Sequence, residues 1–341
     1  RSTQPLLPAT AVEVVAELPW PPGNLAVDTP ERIFFSFHPE GRPPVSLAVW
    51  ENGSWHAWPG SEWQPGGGHA SALREVLSVR LDRERRLLWA LDTGFHGLHP
   101  GRLLAFDADT GELHTEHVFQ RSIAGLGSHL NDFQISPDGN TIYIAEASFF
   151  AQTPALVVYD RPSNSARRVL DGHPSVMPER YLPEVGGRRM EALGLVAIRP
   201  GVDSIALSAD GEWLYFAPVT DNYLWKLRTR DLRDSTLSPE ALAKKVERHA
   251  LKSMSDGILA LDDGRILLTD PEHFAIHQLQ GESLRTLVQH PSLLRWPDGL
   301  SSDTEGRVYI TASGLHQIIG RPPSAVRKGA PWHLLRFAPP S

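Results

Sequence analysis

The chain has 341 residues, 41% of them hydrophobic and 21% charged, which is typical of a globular protein. A formal net charge of -7 argues against nucleic acid as a partner, because nucleic-acid affinity depends on clustered Lys and Arg. The apolar runs are too short to span a bilayer, and the lack of cysteine excludes disulfides and thiolate metal sites.

Short strand-like segments follow one another from an alternating stretch at residues 11–18 to the end of the chain. One unit recurs: a polar residue, an apolar strand, a turn and a second apolar strand. In the four clearest copies the first residue lies eight positions before a turn glycine. These pairs are Asn131 and Gly139, Asp203 and Gly211, Asp256 and Gly264, and Asp298 and Gly306.

Two weaker copies, around Asn24 and from Leu77, bring the number of units to six. Further strand-like runs between the copies give each unit four strands, as a propeller blade requires. We therefore predict an all-β fold, a six-bladed β-propeller closed by pairing of an N-terminal strand at 11–18 with a C-terminal strand at 331–337.

The domain prediction is an N-terminal extension at residues 1–10 and one propeller domain at 11–338. The connection at 174–200 is longer than ordinary loops and is predicted to form a lid or wall at the channel mouth. Two segments favour helix: Glu240–Glu247, with Ser238 as N-cap, and residues 187–193.

The first strand of each blade lines the central channel, so residues at one repeat position form a ring. Carboxylates brought together repel one another, and a bound cation offsets that repulsion. An oxygen-only ligand set favours Ca²⁺ first and Mg²⁺ second. The alternative is that these residues cap strand ends and turns locally. The predicted ring consists of Asn24, Asn131, Asp203, Asp256 and Asp298.

Other residues near the ring are candidates for catalysis or ligand contact. Asp203 is the predicted general base, and His129, two residues before the ring, is a second candidate acid or base. Phe133 and Trp296 adjoin ring residues and are predicted to stack on a ligand. The HGLH stretch at 96–99 is interpreted as surface histidine, because no third metal ligand accompanies it.

Three stretches carry a resemblance to the Yellow/major royal jelly protein family. They are SVRLDRERRLLWALDTG at 78–94, GVDSIALSADGEWLYFAPVTDNYLWKLRTRDLRD at 201–234 and WPDGLSSDTEGRVYITASGL at 296–315. The chain resembles a bacterial-type member of this family, which implies a six-bladed propeller. Relatives include enzymes that convert dopachrome as well as amine-binding and nutritive proteins, so the resemblance implies no single activity.

A more distant resemblance links the chain to the gluconolactonase/senescence-marker group, whose channel metal is held by a Glu, two Asn and an Asp. Asn131 and Asp256 match that group's Asn and Asp. Asn24 stands where its Glu would be, and Asp203 stands where its second Asn would be. Both departures change the charge around the metal, and with it the pKa of bound water.

Two functions from different classes fit these observations. The first is a metal-dependent enzyme, a hydrolase or isomerase, that opens a lactone or isomerises a ring in a small oxygenated or cyclic substrate. The second is a non-enzymatic protein that binds an amine or catechol; a protein-interaction platform has only the fold in its favour. The polar, Pro-containing start of the chain leads us to expect an exported protein, periplasmic or secreted, with a cytoplasmic one as the alternative.

Overall fold

A computed structural model describes residues 4–192 and 196–340. These residues form six four-stranded antiparallel sheets arranged as the blades of a propeller. The inner strands contact one another in a closed ring, in which the first blade meets the sixth. The predicted six-bladed all-β fold is therefore confirmed.

The first three blades follow one another along the chain. The first strand of the chain, β1 (Glu13–Leu18), precedes them and belongs to the last blade, blade 6. Blade 1 comprises β2 (Pro22–Thr29), β3 (Arg32–Phe37), β4 (Leu47–Glu51) and β5 (Ser54–Ala57). Blade 2 comprises β6 (Val76–Asp82), β7 (Leu87–Asp92), β8 (Arg102–Asp107) and β9 (Leu113–Val118). Blade 3 comprises β10 (Leu130–Ile135), β11 (Thr141–Glu146), β12 (Ala155–Asp160) and β13 (Ser165–Val169).

Two short hairpins separate blade 3 from blade 4, and the remaining blades follow them. The hairpins are β14 (Glu184–Val185) with β15 (Arg188–Arg189), and β16 (Glu191–Ala192) with β17 (Val196–Ala197). Blade 4 comprises β18 (Val202–Leu207), β19 (Trp213–Pro218), β20 (Tyr223–Arg228) and β21 (Glu247–Leu251). Blade 5 comprises β22 (Ile258–Ala260), β23 (Ile266–Asp270), β24 (Ala275–Gln280) and β25 (Ser283–Gln289). Blade 6 comprises β26 (Pro297–Ser302), β27 (Val308–Ala312), β28 (Trp332–Phe337) and β1.

Helical segments are short and lie in the connections. They are α1 (Gly94–Gly97), α2 (Thr229–Arg233), α3 (Pro239–Ala243), α4 (Leu315–Ile318) and α5 (Pro323–Gly329). The Ser238 hydroxyl caps α3 as predicted, accepting from Ala241 N at 3.2 Å, but the helix ends at Ala243, earlier than expected. The helix predicted at 187–193 is wrong for its described part, which contains strands β15 and β16; residue 193 lies outside the described residues. No helix of the described residues is long and apolar enough to cross a membrane.

The propeller closes as the sequence predicts. β1 pairs antiparallel with β28 and completes blade 6 as its outermost strand. Blades 6 and 1 are joined further by Thr311 Oγ1, which donates to Gly23 O at 2.7 Å. Before β1, the backbone N–H groups of Leu6 and Leu7 donate to carbonyls of β25 at 3.1 and 2.8 Å. The N-terminal extension is thus attached to blade 5 in the part that the structure describes.

Candidate functional site

The predicted ring residues lie where the inner strands lose their regular pairing. Register shifts occur near the start of five of the six inner strands, and each such bulge leaves residues out of the ladder and redirects their side chains. The shifts fall between Pro22 and Leu25, Val76 and Ser78, Leu130 and Phe133, Val202 and Ser204, and Pro297 and Leu300. These intervals contain four of the five ring residues, Asn24, Asn131, Asp203 and Asp298. In these four blades the shared repeat position therefore lies at an irregularity of the backbone pairing.

Hydroxyl groups on the second strands hold the backbone of this irregular region. Ser36 Oγ accepts from Asn24 N at 3.0 Å in blade 1. Thr269 Oγ1 accepts from Asp256 N at 3.1 Å in blade 5, and Thr311 Oγ1 accepts from Gly299 N at 2.8 Å in blade 6. The backbone donors freed by the irregular pairing are therefore satisfied inside the blade.

All five ring residues line one cavity at the channel mouth, which contains about 1080 Å³ of empty space, part of it open to solvent. The floor is polar, and the walls are largely apolar. Wall residues come from several connections, including Phe149, Phe150, Met190, Ile198, Met254 and Leu315. This combination of a small polar patch with apolar walls is typical of small-molecule sites.

Arg80 on β6 reaches into the floor, and the sequence analysis missed it. Its guanidinium donates to Asn24 Oδ1 at 2.6 Å and forms an ion pair with Asp132 at 2.6 Å. Asp132 is buried, and this burial raises its pKa while Arg80 acts to lower it. On this side of the floor, the negative charge of Asp132 is therefore balanced by Arg80, which also occupies the amide oxygen of the ring residue Asn24.

The opposite side of the floor is a group of acidic side chains that accept hydrogen bonds from their neighbours. The Asn131 amide donates to Asp203 Oδ1, and the Trp296 indole N–H donates to Asp256. The carboxyl groups of Asp203 and Asp256 interact with each other, and two carboxyl groups held together favour a state in which only one of them is ionised. Burial raises the pKa of Asp256 to about 6, and burial followed by the charge of Asp256 raises that of Asp203.

Asp298 is a third carboxyl group beside this pair. Burial and the charges of Asp256 and Asp203 raise its pKa well above the usual range. Gly257 allows blades 5 and 6 to approach here, because a Cβ at this position would lie 1.9 Å from Asp298 O. The three acidic residues thus repel one another in a confined space.

Lys252, which precedes Asp256 in the chain, supplies a buried amine close to the floor. Its Nζ donates to Val219 O at 3.3 Å and to Ser253 O at 3.1 Å. Burial lowers the pKa of Lys252 to about 8, against the charges of nearby carboxylates that include Asp203 and Asp256. Its positive charge offsets only part of the negative charge of the floor.

The predicted five-residue set does not fit a metal ion as the side chains are arranged. Asn24 uses its amide oxygen for Arg80, whose guanidinium already supplies a positive charge at that side. Among residues 4–192 and 196–340, no three His, Cys, Asp or Glu side chains are grouped so that they could hold a metal ion. The other four residues, Asn131, Asp203, Asp256 and Asp298, carry oxygen atoms of the kind that Ca²⁺ or Mg²⁺ binds, but these side chains would have to rearrange to hold an ion together.

His129 lines the cavity, as the sequence suggested, but its environment disfavours proton transfer. Burial, with smaller effects of His96 and His38, lowers its pKa to about 3, so the imidazole is neutral and weakly basic at neutral pH. Its ring stacks on His96 with centroids 4.8 Å apart. Both Nδ1 atoms are buried without a hydrogen-bond partner in the described part of the chain. His129 can therefore contribute a hydrogen bond to a ligand more readily than it can carry a proton.

The two aromatic candidates occupy different positions. Trp296 lines the cavity, and its ring stacks on that of His316 at 6.2 Å. Phe133 does not line the cavity, because it is fully buried in the apolar cluster between blades 2 and 3. The Arg80 guanidinium lies 5.9 Å from its ring centroid. Phe133 thus packs near the Arg80 guanidinium and does not face a ligand in the cavity.

The segment at 174–200 forms part of the cavity wall. It contains the hairpins β14–β15 and β16–β17, and Pro183, Met190, Ile198 and Pro200 line the cavity. The aromatic wall formed by Phe149 and Phe150 is also on a connection, the one that follows β11. The segment thus lies in the cavity wall, and a role as a lid stays a prediction.

A family-wide profile described as major royal jelly protein matches residues 75–325, well over half of the chain. The chain belongs to this family. The resemblance recognised in the sequence is thus confirmed. No curated protein sequence matches the chain significantly.

Solved structures of other propellers are similar to this major royal jelly family member. A calcium-binding regucalcin from Agrobacterium tumefaciens has 12% identity and a TM-score of 0.61 over 98% of this chain and 96% of its own. A gluconolactonase from Xanthomonas campestris has 13% identity and a TM-score of 0.59 over 96% and 89%. At these identities the similarity shows a shared fold, and the activity must be argued from the residues of the site.

Proposed function

We propose that this protein is an enzyme that transfers protons on a small oxygenated or cyclic molecule bound in the channel cavity. The observation that carries the proposal is the Asp203–Asp256 pair, two interacting carboxyl groups at the floor of a largely apolar cavity, each held by a neighbouring side chain. A pair that shares one proton provides a base and an acid side by side. The pKa of about 6 for Asp256 suits exchange of that proton near neutral pH.

Both reactions expected from the sequence can use this pair. In a ring isomerisation, the carboxylate takes a proton from one ring position, and the protonated partner donates its proton at another position. In lactone opening, water attacks the carbonyl carbon and loses a proton to the carboxylate, while the protonated partner donates to the departing ring oxygen. In this proposal Asp256 is the base, because its charge raises the pKa of Asp203 and so keeps Asp203 protonated. Asp203, the base expected from the sequence, is then the acid of the pair, and Asn131 holds it by a hydrogen bond.

A divalent cation, Ca²⁺ before Mg²⁺, is a second proposal for the same floor. It rests on three acidic residues, Asp203, Asp256 and Asp298, whose pKa values are raised by burial and, for Asp203 and Asp298, also by neighbouring carboxylates. A cation would offset both effects once the side chains had rearranged around it. The similarity to a calcium-binding regucalcin supports this donor chemistry without assigning it. Such an ion would polarise a substrate carbonyl when bound.

Binding of an organic amine without turnover is the non-enzymatic candidate. It is favoured by the combination of the acidic floor with the aromatic side chains of Phe149, Phe150 and Trp296 in one cavity. A protonated amine would be attracted by the carboxylates and by the aromatic faces. Turnover distinguishes this candidate from the enzyme.

The test compares turnover of a panel of lactones and isomerisable ring compounds by the wild-type protein, Asp203→Asn and Asp256→Asn. We expect each variant to lose at least about 100-fold in kcat, because it can no longer exchange the shared proton. Asp262→Asn, at an exposed turn of blade 5, is the matched control and should retain full activity. Metal content and the effect of a chelator are measured on the same samples.

The outcomes separate the candidates. Full activity after chelation, with loss in both floor variants, supports the proton-transfer pair alone. Loss of activity on chelation that is restored by Ca²⁺ supports the cation. Turnover that is unchanged in Asp203→Asn and Asp256→Asn would refute the proposed mechanism, and tight amine binding with no turnover of any compound would favour the carrier.

A further inference from the structure

A second pocket lies beside α4, next to the channel cavity but lined by a different set of side chains. Leu315 and Ile319 of this region line the channel cavity, whereas His316 lines the second pocket. The pocket is bounded on one side by the hairpin β14–β15 of the 174–200 segment and on the other by α5. The pocket therefore lies at the boundary between that segment and blade 6.

Four basic side chains line this pocket, and no acidic residue of the described chain does so. None of the four has a carboxylate within ion-pair distance among the described residues, although ion pairs are frequent elsewhere on this surface. We call this the basic pocket. Its cationic residues are Arg188, Arg295, Arg321 and Lys328.

Two of these cations are fixed in place by backbone carbonyls. Arg188 donates to His316 O at 2.6 Å and to Ile319 O at 2.7 Å. Arg295 donates to Gly329 O at 2.9 Å and to Pro331 O at 2.5 Å, and its buried Nε has no hydrogen-bond partner in the described part. Neutral carbonyl partners orient a guanidinium but leave its charge uncompensated.

The positive charge of the basic pocket lowers the pKa values of residues that line it. The pKa of Arg188 is lowered by burial and then by the charge of Arg321. The pKa of His316 is lowered to about 4 by burial and then by Arg295 and Arg188. A bound anion would offset the repulsion between like charges held together in this way.

We propose that the basic pocket binds a phosphate group, either free or carried by a small molecule. Arginine forks and a lysine ammonium are the side chains that bind phosphate oxygens with charge-assisted hydrogen bonds. Arg188 belongs to the 174–200 segment. Arg295 precedes β26, Arg321 precedes α5, and Lys328 lies in α5. A phosphate group bound between these residues would link the 174–200 segment to blade 6 and so stabilise this part of the channel-cavity wall.

The test is calorimetric titration of the purified full chain with inorganic phosphate at constant ionic strength. Arg321→Ala and Lys328→Ala should each bind phosphate about tenfold or more weakly, the effect of losing one charge-assisted hydrogen bond. Both side chains are exposed, so these variants should remain folded. Arg327→Ala is the matched control, because Arg327 is a basic residue of the same helix that is exposed and does not line the pocket.

Wild-type affinity that is retained in Arg327→Ala and lost in the other two variants supports the site. A wild-type protein that gives no saturable heat with millimolar phosphate, or an equal loss in Arg327→Ala, would overturn it. A parallel titration with a phosphate monoester identifies the source, because tighter binding of the ester indicates a phosphorylated small molecule and tighter binding of phosphate indicates the free ion.

Discussion

Trp296 connects the acidic floor to the wall of the channel cavity. Its backbone φ is 55°, a left-handed value that is rare for a bulky residue and that clusters at functional sites. This conformation places its indole N–H on the Asp256 carboxylate and its ring against His316. Trp296 therefore positions Asp256, one member of the proposed proton-sharing pair. Its ring also packs against His316, which lines the basic pocket.

The buried carboxyl pair should make stability depend on pH in an unusual direction. The pKa of Asp256 is raised from 3.8 to about 6 in the folded protein, so the native state binds more protons than the unfolded state between these values. The free energy of unfolding therefore falls as pH rises through about 4 to 6. Asp256→Asn removes this effect and should raise the thermal midpoint at pH 8 while leaving it little changed at pH 4.

Thermal unfolding at the two pH values, followed by circular dichroism, measures this difference. Asp262→Asn, at an exposed position, is the control and should behave as the wild type at both values. An equal change in the midpoint of Asp256→Asn at pH 4 and pH 8 would show that ionisation of the Asp256 carboxyl group does not destabilise the folded protein.

The repeat position of the ring residues could be predicted, because identical spacing in successive units places side chains on one ring. The partnership of Arg80 with Asn24 and Asp132 could not. It joins three inner strands, and no spacing within one repeat encodes a contact between blades. The available signal was a basic residue, Arg80, in the middle of an inner strand, since a buried Arg requires an acidic partner.

At the scale of the element, α1 is unusual because it is a left-handed turn. Four successive residues, Gly94, Phe95, His96 and Gly97, have positive φ values, and for a non-glycine residue this costs about 1–2 kcal/mol. Glu75 holds the turn by accepting from Phe95 N at 3.1 Å. The turn brings the His96 ring onto His129 in the cavity wall, which the HGLH spacing alone did not reveal.

Gly97 is the position at which this turn tolerates least change. A Cβ at Gly97 would lie 1.9 Å from Gly125 O, and the backbone φ of 78° disfavours any side chain. Gly97→Ala should therefore lower the free energy of unfolding by more than about 1 kcal/mol. Urea denaturation measures the change.

Gly68→Ala is the matched control for that experiment. Apart from its chain neighbours, no atom lies within 4 Å of the place that a Cβ at Gly68 would occupy, and Gly68 lacks a left-handed φ. The stability of Gly68→Ala should therefore stay near that of the wild type. Equal stability of Gly97→Ala and Gly68→Ala would mean that the left-handed turn is not needed for folding.

At the scale of the whole molecule, closure depends on strands from opposite ends of the described chain. β1 forms the outer edge of blade 6 by pairing with β28, and Arg336 on β28 forms an ion pair with Glu13 on β1 at 2.8 Å. Closure was predictable, because an open ring of sheets exposes unpaired strand edges. The insert between blades 3 and 4 was harder to predict, since its short hairpins lack the length and periodicity of blade strands.

Removal of residues 1–18 should therefore destabilise the entire propeller. Without β1, the apolar strand β28 becomes an exposed edge that can pair with another molecule. We expect a lower thermal midpoint and aggregated material in size-exclusion chromatography. A variant that lacks only residues 1–4 is the control and should stay monodisperse to the same degree as the parent protein; equal behaviour of the two truncations would contradict a structural role for β1.

The pairing of β1 with β28 also orders the events of biosynthesis. The ribosome delivers β1 before any blade is complete, whereas its partner emerges only after more than three hundred residues. During translation β1 has no place in a finished sheet, so the nascent chain must keep this apolar segment from pairing wrongly until blade 6 is made. Ring closure is therefore the most non-local step of folding, and we expect it to be among the slowest.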